Sequence, residues 1–141
     1  ELHFRRNVLV PDLAGWRRTR MAQVSDAPFL TLAPDWVCEV LSPSTAMLDR
    51  AKKLQIYARA GVGHLWIVDP IAQLLEVLRL EAGRWSIVAT HAGARAVRAE
   101  PFSGVPLDLG LLWTGERDHA ASRTTPGPRP GSTETPATAW R

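Results

Sequence analysis

The sequence predicts an α/β domain with a mixed central sheet flanked by helices, and three observations carry that expectation. A strand–helix–strand order runs from residue 35 to residue 69, which is the signature of a βαβ unit. Two alternating stretches then flank Gly83, as in an antiparallel hairpin. Finally, 45% of the 141 residues are apolar and six are Trp, enough to bury one real core.

The elements follow in order. Asn7-Val-Leu-Val-Pro-Asp12 reads as a short strand closed by proline, with Asp12 at its end. Residues 17–34 are polar and irregular, and Asp35 to Leu41 form the second strand. Ser44 or Thr45 is the expected N-cap of a helix over roughly 46–60 that Gly61 stops. Met47, Ala51, Leu54 and Tyr57 or Ala58 share one face of that helix and should pack on the sheet. His64 to Pro70 is almost continuously apolar, as expected of an interior strand covered on both faces. Leu74–Leu80 and Trp85–Thr90 supply the hairpin. Residues 96–113 hold short apolar pieces broken by Pro101, Gly104, Pro106 and Gly110. Residues 1–113 therefore read as the domain. Residues 114–141, rich in Pro, Thr, Ser, Gly and Arg without periodicity, read as a disordered tail.

Composition narrows the chemistry. The single cysteine, Cys38, forms no internal disulfide, and His3, His64, His91 and His119 lack zinc-ligand spacing. No apolar run reaches the roughly 18 residues of a membrane span, and no signal peptide is visible. A reducing, cytoplasmic setting fits best. Net charge is +3, yet Arg5, Arg6, Arg17, Arg18 and Arg20 cluster near the start, either as a solvated surface or as a patch that meets phosphate. Trp36, Trp66 and Trp85 fall in strands and read as core. Trp16, beside Arg17 and Arg18, is the tryptophan to test for nucleic-acid contact. His64 has no visible catalytic partner, and Cys38 reads as a small buried hydrophobe.

Glu39 is the anomaly. Every neighbour in Trp36-Val-Cys-Glu-Val-Leu41 is apolar, and an uncompensated buried carboxylate costs several kcal/mol. Either one face of the strand is wet, or Glu39 holds a hard cation such as Mg²⁺, which needs only one or two carboxylates besides water and substrate phosphate. Asp35 shares its strand but lies roughly 13 Å away along it. Asp12 comes from another strand end, and adjacent strands run about 4.8 Å apart, so Asp12 and Glu39 can converge on one ion. The alternative for Asp12 is an ordinary turn aspartate after proline.

Pro11-Asp12 followed by Glu39-Val40-Leu41 resembles the PD-(D/E)XK nuclease superfamily. The series Pro34-Asp-Trp-Val-Cys-Glu-Val-Leu-Ser-Pro-Ser-Thr45, Asp49, Lys53, Tyr57, Gly61-Val62 and Trp66-Ile-Val-Asp-Pro70 is similar to the Uma-type restriction endonucleases within it. The resemblance spans residues 7–113 and implies a restriction-endonuclease-like fold. It further implies a Mg²⁺-dependent (Mn²⁺ as substitute) endonuclease hydrolysing DNA phosphodiesters, with Asp12, Glu39 and the Val40 carbonyl as metal ligands. The superfamily lysine two residues after the glutamate is Leu41 here. The resemblance moves that role to Lys53 on the following helix, with Lys52 beside it; an i, i+4 pair with Asp49 is the competing explanation for Lys53. A helix and strand that usually precede the PD motif are not seen, so the N-terminal part of the fold is expected to be missing. The superfamily's habit of cutting both strands makes a homodimer an expectation too. A nuclease-like fold that binds nucleic acid or protein without catalysis is the alternative reading.

Overall fold

Leu2 and Leu9 alternate with polar neighbours on either side of Arg5-Arg6, and they form the first hairpin, β1 (Leu2–Phe4) against β2 (Asn7–Leu9). The structure is a computed structural model describing residues 1–23, 26–42 and 47–113, the side chains of residues 47–49 excepted. After Pro11 come β3 (Leu13–Gly15), β4 (Trp36–Val40), α1 (Met47–Ala60), β5 (His64–Asp69), β6 (Leu74–Glu81) and β7 (Arg84–Ala92). These strands make a five-stranded sheet in the order β3-β4-β5-β6-β7. β4 and β5 are parallel with α1 as their crossover, and every other pairing in the sheet is antiparallel. The sheet is mixed, as the sequence predicts. Two short strands, β8 (Ala96–Val97) and β9 (Leu107–Asp108), pair antiparallel, and α2 (Gly110–Trp113) follows.

One boundary differs from expectation. No single strand runs from Asn7 to Asp12: β2 stops at Leu9, and a new strand begins after Asp12. Pro11 lacks the N–H that would continue a ladder, so the chain leaves the hairpin there and joins the main sheet instead. Asp12 thus precedes β3 rather than ending β2.

The sheet is covered on both faces because its strands alternate apolar residues in both directions. Val37, Leu65, Ile67 and Leu78 point to a core shared with Ile56 and Tyr57 of α1 and with Leu2 and Leu9 of the hairpin. Trp36, Cys38, Trp66, Val68, Leu75 and Val77 point the other way, to a core closed by Ala99 and Leu109. β5 is therefore buried on both faces, which is why its sequence shows no alternation. On α1 the buried face is Ile56 and Tyr57 with Leu54 partly covered, whereas Ala51 is exposed. The expected stripe was rotated because Ile56 outcompetes a small alanine for apolar contact.

Backbone bonds fix the ends of α1. Gly61 adopts φ +80°, its N–H donates to the Ala58 carbonyl at 3.1 Å, and the Val62 N–H donates to the Tyr57 carbonyl at 3.1 Å. This is a Schellman termination, which a residue with a side chain enters only under strain. The expected cap at Ser44 or Thr45 and the tail at 114–141 lie outside the described residues. Indole N–H groups act as further pegs: Trp85 donates to the Leu54 carbonyl at 2.9 Å and Trp66 to the Glu100 carbonyl at 2.6 Å. Among the described residues no helix is long and apolar enough to cross a membrane.

Leu65 is fully buried in the centre of the helix-side core. Leu65→Ala is expected to lower unfolding stability by about 2–5 kcal/mol, read from urea denaturation, because a cavity under α1 cannot collapse against a rigid strand.

Candidate active site

The β3–β4 register brings the two candidate carboxylates together. Leu13 lies opposite Cys38, Ala14 opposite Val37 and Gly15 opposite Trp36. Carried one residue further, the same register sets Asp12 opposite Glu39, with both side chains on the α1 face of the sheet. Asp12 is exposed, and its Oδ2 accepts the Val40 N–H at 2.7 Å. That bond fixes the turn residue to the end of β4.

Glu39 is compensated from α1. Its Oε1 accepts the Tyr57 hydroxyl at 2.6 Å, and its Oε2 accepts Lys53 Nζ at 3.2 Å. Lys53 and Tyr57 are four residues apart, so they lie on one helix face. Lys52, by contrast, is exposed, and the structure selects Lys53 as the lysine that reaches Glu39. Leu41 turns into the edge of the helix-side core, and its N–H donates to the Val68 carbonyl at 2.7 Å. Asp49, the competing partner for Lys53, has a side chain outside the described residues.

Sequence reasoning placed Tyr57 in the packing face and in the series that resembles the family, and gave it no part in the candidate site. Its ring is fully buried while its hydroxyl reaches Glu39. Burial first, then the bond to Glu39 and the charges of Glu39 and Asp12, push its ionisation far above the ordinary phenol range. Tyr57 therefore remains a protonated donor. Cys38, on the opposite face of β4, is pushed up to about 12 by burial, with smaller contributions from Asp12 and Glu39. As expected, it is a buried hydrophobe and no nucleophile.

The donor set suits a hard divalent cation. Asp12 and Glu39 carry two negative charges, Lys53 offsets one, and each carboxylate oxygen keeps a lone pair after the bonds above. Among the described residues no group of three or more His, Cys, Asp or Glu gathers anywhere. Two carboxylates with a backbone carbonyl are enough for a cation that keeps much of its water.

Other expected residues separate from this cluster. Asp35 accepts the Arg17 N–H at 2.8 Å and pairs with Arg20 at 2.9 Å. Arg20 is thus partly neutralised, which removes it as a free phosphate contact. Trp16 is buried at 7% exposure, and its indole donates to the Leu32 carbonyl at 3.0 Å. It belongs to the core and offers no stacking face, because an indole with a reachable carbonyl gains from burial. His64 does have a partner: its Nε2 lies 3.3 Å from Glu100 Oε2, which Arg79 also contacts at 3.1 Å. Thirty-six residues separate His64 from Glu100, so no local pattern could announce the pair.

Comparison with known proteins supplies two findings. The family model Uma2, "Putative restriction endonuclease", matches residues 1–110. Among solved structures, the chain is similar to a "putative nuclease belonging to DUF820" from Anabaena variabilis, with a TM-score of 0.61 and 22% identity. That match covers 79% of this chain and 63% of the other, so the chain spans less than two thirds of its structural neighbour. The likeness establishes the fold. No curated protein matches the chain.

Cys38 and Tyr57 are held neutral in the fold and ionise more readily once unfolded. Their contribution to stability is fully present below pH about 9, the ordinary thiol value, and is lost as pH rises towards the Cys38 value of about 12. Urea midpoints are expected to fall across that window, and Cys38→Ala combined with Tyr57→Phe should flatten the fall.

Proposed function

Because the chain belongs to the Uma2 restriction endonuclease family, we propose that it is a metal-dependent endonuclease that hydrolyses DNA phosphodiester bonds at Asp12, Glu39 and Lys53. The observation that carries this reading is the convergence of the two carboxylates and one lysine on the α1 face of the sheet. Asp12 and Glu39, with the Val40 carbonyl, would hold Mg²⁺, for which Mn²⁺ can substitute. Bound there, the cation supplies Lewis-acid polarisation of the phosphoryl group and a lowered pKa for water.

The remaining chemistry falls to the chain itself. Hydrolysis adds water at phosphorus and releases the 3′-oxygen. Lys53 Nζ carries positive charge to the edge of the carboxylate pair, where it can orient water or offset charge growing on the phosphoryl oxygens. Tyr57, locked as a donor, holds the Glu39 carboxylate in one orientation, so little reorganisation is left for the reaction. The Val40 N–H does the same for Asp12.

Calorimetry with Mg²⁺ and cleavage of labelled duplex DNA test the reading. Wild type should bind the cation, and Glu39→Gln should not. Asp12→Asn and Glu39→Gln should each lower cleavage by at least about 10²-fold while the far-UV spectrum stays unchanged, as expected when a preorganised electrostatic group is lost. Cleavage that survives both substitutions would remove the assignment. Salt-dependent DNA binding without turnover in wild type would instead identify a nuclease-like fold that binds without cutting.

Mg²⁺ at a hundred times its Kd should raise the stability of wild type by about 2.7 kcal/mol, since a ligand that binds only the folded state stabilises it by mass action. Glu39→Gln should abolish that increment.

A further inference from the structure

A groove of about 650 Å³ runs between the β1–β2 hairpin and the C-terminal end of α1. Arg5, Asn7 and Thr31 line it from one side and Arg59 from the other, over a floor that includes Ile56 and Ala60. We propose that this groove is a second nucleic-acid contact, taking a backbone phosphate of the strand a few nucleotides from the bond that is cut. The inference rests on the nuclease reading above and adds to it a track for the substrate.

Charge is the first argument. Among the described residues neither Arg5 nor Arg59 has a carboxylate partner, whereas Arg20, Arg50 and Arg79 are all paired. No Asp or Glu lines the groove, although Glu1 bonds the lining residue His3 at 3.1 Å. Two guanidinium groups, with Asn and Thr side chains in the same lining, present donors to whatever enters. That composition fits a phosphate, because the planar fork matches its oxygens and holds its charge at every working pH.

Position is the second argument. Arg59 lies six residues beyond Lys53 on the same helix, about 9 Å along its axis at 1.5 Å per residue. That equals two to three nucleotide steps at about 3.4 Å each. Arg59 is also turned about 120° around α1 from Lys53, at about 100° per residue, so a strand that meets both would cross the helix obliquely, from the carboxylate pair towards the hairpin.

Backbone conformation is the third. Arg5 sits in the two-residue loop of the hairpin with φ +55°, a conformation that glycine enters without penalty and arginine does not. The local structure alone would favour glycine. Arg59 has a competing structural role, since a cation in the last turn of a helix interacts favourably with its dipole. The test must separate that role from phosphate binding.

The experiment measures fluorescence anisotropy of labelled duplex and single-stranded DNA with the full chain in EDTA, across a salt series. The variants are Arg5→Gly, Arg59→Gln and the double substitution, with Arg84→Gln/Arg95→Gln, at the start of β7 and just beyond its end, as a charge-matched control. The double variant should weaken duplex binding about tenfold or more and reduce the slope of log K against log salt by about 1.8, two contacts at about 0.9 each. Arg5→Gly should melt no lower than wild type, a result that structural damage would not give.

An unchanged slope, or an equal loss in the control, overturns the proposal. So does inorganic phosphate that stabilises wild type through Arg5 and Arg59 while the DNA slope is unaffected, which would mark a free-anion site. The two readings fail separately. Cleavage lost in Glu39→Gln but normal DNA binding in the groove variants sinks the groove alone. Groove-dependent binding with no cleavage in wild type sinks the nuclease reading and keeps the groove.

Discussion

Much of this structure follows from one constraint, a carboxylate placed inside an otherwise apolar strand. Glu39 lies between Cys38 and Val40 on β4, next to a β5 that is buried on both faces. A charge there needs donors, since leaving it bare costs more than any single packing contact returns. The donors come from α1, and so the helix must lie with Lys53 and Tyr57 over β4. Ile56 and Tyr57 then fill the helix-side core beside Val37 and Leu65, and the Schellman turn at Gly61 sends the chain directly into β5. The polar requirement at Glu39 and the apolar requirement of the core thus select one orientation of the helix.

The same face of the sheet shows how charge is apportioned along α1. Glu39 pairs across β4–β5 with Ile67, and Ile67 pairs across β5–β6 with Glu76, so Asp12, Glu39 and Glu76 fall in one cross-strand row. Arg50 answers Glu76 at 3.4 Å and Lys53 answers Glu39 at 3.2 Å. Asp12 has a backbone N–H and no cation among the described residues. Negative charge is therefore left over at Asp12, the exposed end of the row.

The sequence made most of this legible, for reasons that differ by element. Continuous apolarity identified β5, Gly83 identified the hairpin turn, and Gly61 identified the end of α1, because each signal is local. Glu39 stood out as a charge among apolar neighbours, and Asp12 could be ranked above Asp35 by distance along a strand. What the sequence concealed was tertiary. The β2–β3 break depended on Leu9 finding the helix-side core. Trp16 looked like a surface residue beside two arginines until its indole was found to reach the Leu32 carbonyl. The hydroxyl of Tyr57 was hidden behind its ring, since the same residue satisfies a packing pattern and a hydrogen bond. Arg20 could not be subtracted from the basic patch without knowing that Asp35 folds back on it.

Lys53 reaches Glu39 from the helix and not from the strand, and this decides what the candidate site depends on. A lysine at position 41 would ride on the same strand and face as Glu39, two residues and about 6.6 Å away, with its place fixed by the strand alone. Lys53 instead approaches over the top of the sheet, and its distance from Glu39 is set by how α1 docks. That docking rests on Ile56, on Tyr57 and on the bond from Trp85 to the Leu54 carbonyl. Loss of apolar volume beneath the helix would therefore loosen the lysine as well as the core, because interiors packed to crystal density transmit small shifts rather than absorb them. In this protein the placement of Lys53 against Glu39 and the stability of the helix-side core are one property, and substitutions that touch neither residue can shift that pair.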